Sequence, residues 1–190
     1  MALEKSFPLA IFVTLALLLA GCGFHVAGSR ALPPELLSVY IDVVTPYTVS
    51  KPPVEGALRA RLLRRGALIA GSADAARTTL RITDLSEVRE VLSVDPFGKA
   101  VEYKLTSKLR YTLVANGRAV LPPDVMQVSR DYSFNAQQVL AKEAEEQRLQ
   151  AFMQDELAEL LLLRLDAMLT RPAGAPAIPP AAPAGGAPAP

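Results

Sequence analysis

Between Val101 and Leu113 every odd position except Ser107 is apolar: Val101, Tyr103, Leu105, Leu109, Tyr111 and Leu113. Glu102, Lys104, Thr106, Lys108, Arg110 and Thr112 take the even positions. A period of two held this long fits a strand with one buried and one open face, because successive strand side chains point to opposite sides of the sheet. Asn116-Gly117 follows, and both residues tolerate the positive φ of a two-residue hairpin turn, so the next strand returns antiparallel. That strand passes through Pro122 and Pro123, which confine its start to a sheet edge or a bulge, and alternates again at Met126, Val128, Tyr132 and Phe134. Upstream, Asp95 to Gly98 has Pro and Gly at the second and fourth positions of a turn. Before it, Arg77 to Leu92 starts as a strand around Leu80 and Ile82 and loses phase at Asp84, where Leu85 follows directly and a bulge is expected. Three strands in an antiparallel meander result.

The flanks complete a fold. Leu36 to Val44 alternates around Val39, Ile41 and Val43 as a first strand. Val54, Ala57, Leu58 and Leu62 then share one face of a helix that Gly66 is placed to end, while Arg59, Arg64 and Arg65 lie largely elsewhere. At the other end Asn135, with Gln138 as a capping-box partner, opens a long helix. Its apolar face is Leu149, Phe152, Met153, Leu157, Leu160, Leu161 and Met168, and Pro172 stops it. The expected fold class is α/β (α+β), a two-layer sandwich. Its mixed sheet has about four strands, including the antiparallel three-stranded meander, and is packed by two helices in the order β-α-β-β-β-α. Leu162, Leu163 and Leu165 widen the last helix's apolar face beyond what one sheet requires. Burial on two sides within the domain is the simpler explanation, and a partner surface the alternative.

The two ends of the chain do not belong to that domain. Phe7 to Ala20 is uncharged, follows Lys5, and leads into Ala20-Gly21-Cys22. It is too short to span a bilayer comfortably and fits a signal-peptide core. The ending "LAGC" resembles the bacterial lipobox, in which the cysteine sulfur is acylated and cleavage leaves Cys22 as the first residue. Cys22 is the chain's only cysteine, so no intramolecular disulfide can form. Gly23, rather than Asp, follows it, which favours the periplasmic side of the outer membrane over retention at the inner one. Arg171 to Pro190 is almost wholly Pro, Ala and Gly and cannot build a core. The expected organisation is a signal peptide over 1–21, an acylated tether over 22–35, one domain over 36–170 and a Pro/Ala-rich tail over 171–190.

Charge and chemistry narrow the function. Removing the signal takes Glu4 and Lys5 from the chain's 20 basic and 19 acidic residues, leaving 19 and 18, so bulk charge gives no case for nucleic acid as a partner. The sole histidine, His25, lies three residues from Cys22, too isolated for a metal site and better suited to packing or hydrogen bonding. There is no Gly-x-Ser-x-Gly and no Gly-rich phosphate loop. Glu143, Glu145 and Glu146 cluster, but on what reads as a solvated helix turn. The chain is expected not to be an enzyme and to need no cofactor beyond the covalent lipid on Cys22.

Three motifs stand in a telling order: "GCGFH" at Cys22 to His25 with its preceding Gly21, "AVEY" at Ala100 to Tyr103, and "LAKEAEEQ" at Leu140 to Gln147. Together with the lipobox, the meander and the final helix, they resemble the LptE family of lipopolysaccharide-assembly lipoproteins over roughly Gly21 to Leu169. The resemblance implies a two-layer domain that plugs the lumen of the outer-membrane β-barrel LptD, helps that barrel assemble, and binds lipopolysaccharide during its insertion into the outer leaflet. The open meander face, with Lys104, Thr106, Lys108, Arg110 and Thr112 beside Gln127, Ser129, Asp131 and Ser133, suits a polar barrel lumen, and equally suits water.

Strands running up, down and up put the turn at Asp95 to Lys99 and the strand-to-helix junction at Asn135 to Lys142 at one end. Lys99 and Lys142, with Arg89, are therefore the candidates for lipopolysaccharide phosphates, although Lys142 is also spaced to pair with Glu146. Arg130, on the apolar face, is expected to snorkel to the sheet edge or to pair with an acid. The rival reading is a freestanding outer-membrane lipoprotein acting as a pilotin-like chaperone or envelope scaffold, which would leave the polar sheet face wet.

Overall fold

The structure, a computed structural model, describes residues 31–44, 51–133 and 139–171, except for the side chains of residues 139–142. The signal segment, Cys22, His25, the expected cap at Asn135 and Gln138, and the Pro-rich tail lie outside them. Two units are distinguished, Met1–Ala31 and Leu32–Pro190, and every described element belongs to the second. Its hydrophobic core runs from Leu32 to Leu165, so this unit contains a complete core of its own.

A short 3-10 turn, Pro34–Leu36, leads into β1 (Ser38–Val43). The helix α1 (Pro53–Arg64) and the strands β2 (Leu68–Ile69), β3 (Thr78–Val94), β4 (Ala100–Ala115) and β5 (Arg118–Ser133) follow, and the helix α2 (Val139–Leu169) ends the fold. The sheet order is β2-β1-β3-β4-β5, with β1 parallel to β2 and β3, and the other pairs antiparallel. The mixed two-layer α+β architecture is the one expected, with one strand added. β2 has two residues, too few to show a period in the sequence. Leu32 and Leu36 are core residues.

Local chemistry explains each turn. At the end of α1 the Gly66 N–H donates to the Leu63 carbonyl and the Ala67 N–H to the Leu62 carbonyl, both at 3.0 Å, with Gly66 at φ 85°. This is a Schellman ending, which satisfies carbonyls the helix would otherwise orphan. Asn116 and Gly117 have φ of 50° and 74°, the left-handed pair that a tight hairpin needs. Pro122 and Pro123 lie in β5, an edge strand, next to register shifts between Tyr111 and Val114 of β4.

The bulge at Asp84 has a larger consequence. Thr83 pairs with Arg110 and Ser86 with Lys108, so Asp84 and Leu85 together oppose Leu109, and Asp84 takes φ 52°. Ahead of the bulge Thr78, Leu80 and Ile82 face the helices; beyond it Glu87, Arg89 and Val91 do, opposite Ser107, Leu105 and Tyr103. Ser86, Val88 and Glu90 are thereby turned to the open face.

Val54, Leu58 and Leu62 of α1 and Met153, Leu157, Leu161 and Leu165 of α2 are fully buried, a spacing of four that keeps them on one stripe. Each such burial stabilises the fold by about 1.5–3 kcal/mol. Leu162 and Leu165 are buried in the domain's core, in line with the simpler explanation, whereas Leu163 is exposed. Phe152 corrects the expected apolar face: it is exposed, because it lies one position before the buried stripe that Met153 begins. Polar pins lock the helices: Arg61 donates two 2.7 Å bonds to Asp155, and Arg65 pairs with Asp166 at 2.6 Å. The buried Gln154 accepts the Val54 N–H and donates to Glu87, tying both helices to β3.

Candidate functional site

Two surfaces stand out, the open face of the sheet and the end of the meander where β3 turns into β4.

On the open face the polar side chains interlock across strands. Thr106 and Ser129 hydroxyls share a 3.0 Å bond, Lys104 lies in register between Glu90 and Asp131, and Lys108 between Ser86 and Gln127. Arg110 Nε donates to Asp84 at 2.8 Å and Arg81 Nε to Asp42 at 2.9 Å. The face is polar along its length, ordered by its own cross-strand pairs, and covered by neither helix. Val88, Val114 and Val125 are among its apolar interruptions.

On the helix side, near the turn, lies a cluster that the sequence reading did not assemble. Arg89 sits 4.9 Å from the Tyr103 ring centroid, and Tyr103 stacks on Tyr132 at 5.6 Å. The Glu146 carboxylate accepts from Arg89 at 3.0 Å and from the Tyr132 hydroxyl at 2.6 Å. Tyr132 and Glu146 hold the Arg89 guanidinium more firmly charged than usual. Burial, then the bond to Glu146, pushes the Tyr132 phenol up to about 12. Glu146 is therefore engaged with Arg89 and Tyr132 rather than part of a solvated acidic turn, while Glu143 and Glu145 are exposed. The signal was available: Tyr103 and Tyr132 occupy apolar-row positions that the hairpin register brings opposite one another.

Of the three candidate phosphate ligands, Lys99 stands on the exposed turn, with its backbone N–H donated to Asp95 and no partner for its ammonium among the described residues. Arg89 is committed to Glu146 and Tyr103. The Lys142 side chain lies outside the described residues, although its backbone belongs to the first turns of α2. Glu102 pairs with Ser133, so the end of β5 lies at the same end of the sheet as the Asp95–Lys99 turn. Arg130 is settled as an ion pair, donating to both Glu156 oxygens at 2.7 Å. Among the described residues no group of three potential ligands is placed to hold a metal, and no helix is long and apolar enough to cross a membrane.

A long meander backed by two helices is a fold seen in solved bacterial lipoproteins. The solution structure of lipoprotein B from Nitrosomonas europaea matches with a TM-score of 0.61 over 77% of this chain and 92% of that one, at 21% identity. The crystal structure of rare lipoprotein B from Shewanella oneidensis matches with 0.57 over 68% and 94%, at 23% identity. In sequence, residues 36–165 match the family model described as LptE: Lipopolysaccharide-assembly. LPS-assembly lipoprotein LptE of Pectobacterium atrosepticum is 31% identical over 160 residues, covering 83% of this chain and 80% of that protein. Its counterpart in Photorhabdus laumondii is 31% identical over 157 residues, covering 83% and 81%. The chain belongs to the LptE family of lipopolysaccharide-assembly lipoproteins.

Proposed function

We propose that the chain is acylated at Cys22, held at the periplasmic side of the outer membrane, and seated as a plug in the lumen of the β-barrel LptD, where it helps the barrel assemble and binds lipopolysaccharide. The observation that carries this reading is the open sheet face. Three strands of 16 or 17 residues present a polar row that neither helix covers, in a chain whose family works in lipopolysaccharide assembly. At about 3.3 Å per residue such strands approach 50 Å, more than a small core requires. Their polar side chains are already paired laterally, so packing against a polar lumen costs little extra ordering. Lys99 and Lys142 remain the proposed phosphate contacts; the Lys99 ammonium, on an exposed turn, can make charge-assisted bonds without breaking an internal pair. Arg89 would have to leave Glu146 to join them. Catalysis has no part in this reading.

A photocrosslinking amino acid placed in turn at Lys108 and Gln127 tests the plug. Both sites should join the chain to a β-barrel in outer membranes, while a control at the exposed loop residue Asp74 need not. Absence of any crosslink from the sheet face would favour a freestanding lipoprotein.

A further inference from the structure

The strand directions define a base of the domain, opposite the Asp95–Lys99 turn, where β1, β2, β3 and β5 begin and α1 and β4 end. Leu37, Leu63 and Leu68 stand there with 47%, 53% and 65% of their surface exposed. They come from segments that meet: the Leu68 N–H donates to the Leu37 carbonyl at 2.8 Å, and the Leu63 carbonyl accepts the Gly66 N–H at 3.0 Å, two residues before Leu68. Singly scattered apolar residues are normal on a surface, but leucines gathered from separate segments at one end mark an interaction surface. Cations border it. Arg64 follows Leu63, the Arg77 N–H donates to the Ser38 carbonyl at 3.1 Å, and Arg118 opens β5. All three are exposed, and among the described residues no carboxylate bonds to them; the Arg77 guanidinium reaches only the Pro34 carbonyl, at 3.4 Å. The acids at this end are less available. Asp166 is held by Arg65 at 2.6 Å, and Glu35 Oε2 is buried. Asp74 is exposed, and with Arg77, Thr79 and Asn116 it lines a hollow of about 400 Å³.

We propose that the base is a contact for the phospholipid surface of the membrane that holds the protein. Leu37, Leu63 and Leu68 enter the boundary between headgroups and acyl chains, and Arg64, Arg77 and Arg118 meet lipid phosphates. The inference rests on the reading that Cys22 is acylated and goes beyond it, because an anchor limits distance and leaves orientation free. Cys22 precedes the core residue Leu32 by ten positions, which span no more than about 35 Å when extended. A bilayer is therefore within reach of this end. Charge and apolarity together select it over a protein partner: leucines flanked by unpaired cations match acyl chains lying under a layer of phosphates. The hollow has room for one headgroup, with Arg77 for its phosphate and Asp74 for the ammonium of an ethanolamine. The base is an end of the sheet and not its open face, so one chain can make this contact and still pack its polar face elsewhere.

The sequence contains no tryptophan, so Leu68→Trp places a single indole at the base. Phe152→Trp places one at another exposed apolar site, about 25 Å along α2 from its end at Leu169. The Leu32–Pro190 unit, which holds the whole core and lacks Cys22, is titrated in each form with vesicles of phosphatidylethanolamine and phosphatidylglycerol. Acylation is read separately, as the mass of the full chain purified from outer membranes. The expected result is a blue shift of the Leu68→Trp emission and none for Phe152→Trp. Arg64→Glu, Arg77→Glu and Arg118→Glu together should weaken the vesicle affinity about tenfold or more without moving the thermal midpoint. An indole at position 68 that stays in water overturns the inference, whether or not Cys22 carries a lipid. Equal shifts at positions 68 and 152 overturn it in favour of general adsorption, and an affinity unchanged by the three charge reversals overturns it as well. A full chain without lipid on Cys22 overturns the anchor reading instead, by a measurement independent of the vesicles.

Discussion

Leu157→Ala and Leu163→Ala lie six residues apart on one leucine-rich helix and should differ several-fold in cost. Leu157 is fully buried, whereas Leu163 is 49% exposed. Truncating a buried leucine forfeits its transfer energy and leaves a cavity, about 2–5 kcal/mol in all; about 3 is reasonable on a stripe that α1 and the sheet hold in place. The packed span from Leu32 to Arg171 is roughly 140 residues, and at about 2.1 cal/mol/K per residue its unfolding entropy is about 0.3 kcal/mol/K. Leu157→Ala should then lower the thermal midpoint by about 10 °C. Leu163→Ala should cost no more than about 0.5 kcal/mol, or about 2 °C. Thermal unfolding of the Leu32–Pro190 unit followed by circular dichroism reads both. Equal losses would mean that the helix is rotated from the orientation described, and the assignment of its outer surface would fall.

Other outcomes follow from the site. Replacing Lys99 and Lys142 by Glu together should reduce lipopolysaccharide binding in calorimetry while leaving the fold intact; unchanged binding would remove them as phosphate contacts. Tyr111 and Tyr132 are both pushed up to about 12, Tyr111 chiefly by burial and then by the Asp124 charge. An unfolded phenol titrates near 10, so the folded form keeps protons that the unfolded chain has already lost. The resulting stabilisation is whole below about pH 10 and is lost as pH rises towards 12, which alkaline unfolding should show. Glu146→Gln removes a cause that raises the Tyr132 phenol, so its phenolate absorbance should appear at lower pH; an unmoved titration would show that burial alone sets it. Gly117→Val should cost about 1–2 kcal/mol in thermal stability, wholly as backbone strain at φ 74°, because a Cβ there meets nothing within 4 Å.

How much of this was legible in the sequence depended on whether the information was local. The alternation from Val101 to Leu113, the Asn116-Gly117 turn, the slip at Asp84 and the stop at Gly66 are each written in a few adjacent residues, and each appears where expected. β2 was not legible, because Leu68 and Ile69 are strand only by virtue of pairing with Ser38 and Val39. Phe152 was misplaced because a helix this rich in apolar residues offers more than one acceptable stripe, and packing against α1 chooses among them. The tie between Arg89 and Glu146 spans 57 positions and depends on the Asp84 bulge having turned Arg89 inward. The leucines at the base, Leu37, Leu63 and Leu68, were visible as letters, but their exposure depends on what does not cover them, and that is a property of the assembled fold.

Mild-detergent copurification of the tagged full chain from its own outer membrane, with associated proteins identified by mass, tests the central claim most directly. A large β-barrel recovered in near-stoichiometric amount, and retained through washing, is the result the plug predicts. Recovery of the protein alone, or with a secretion or peptidoglycan component, would contradict it.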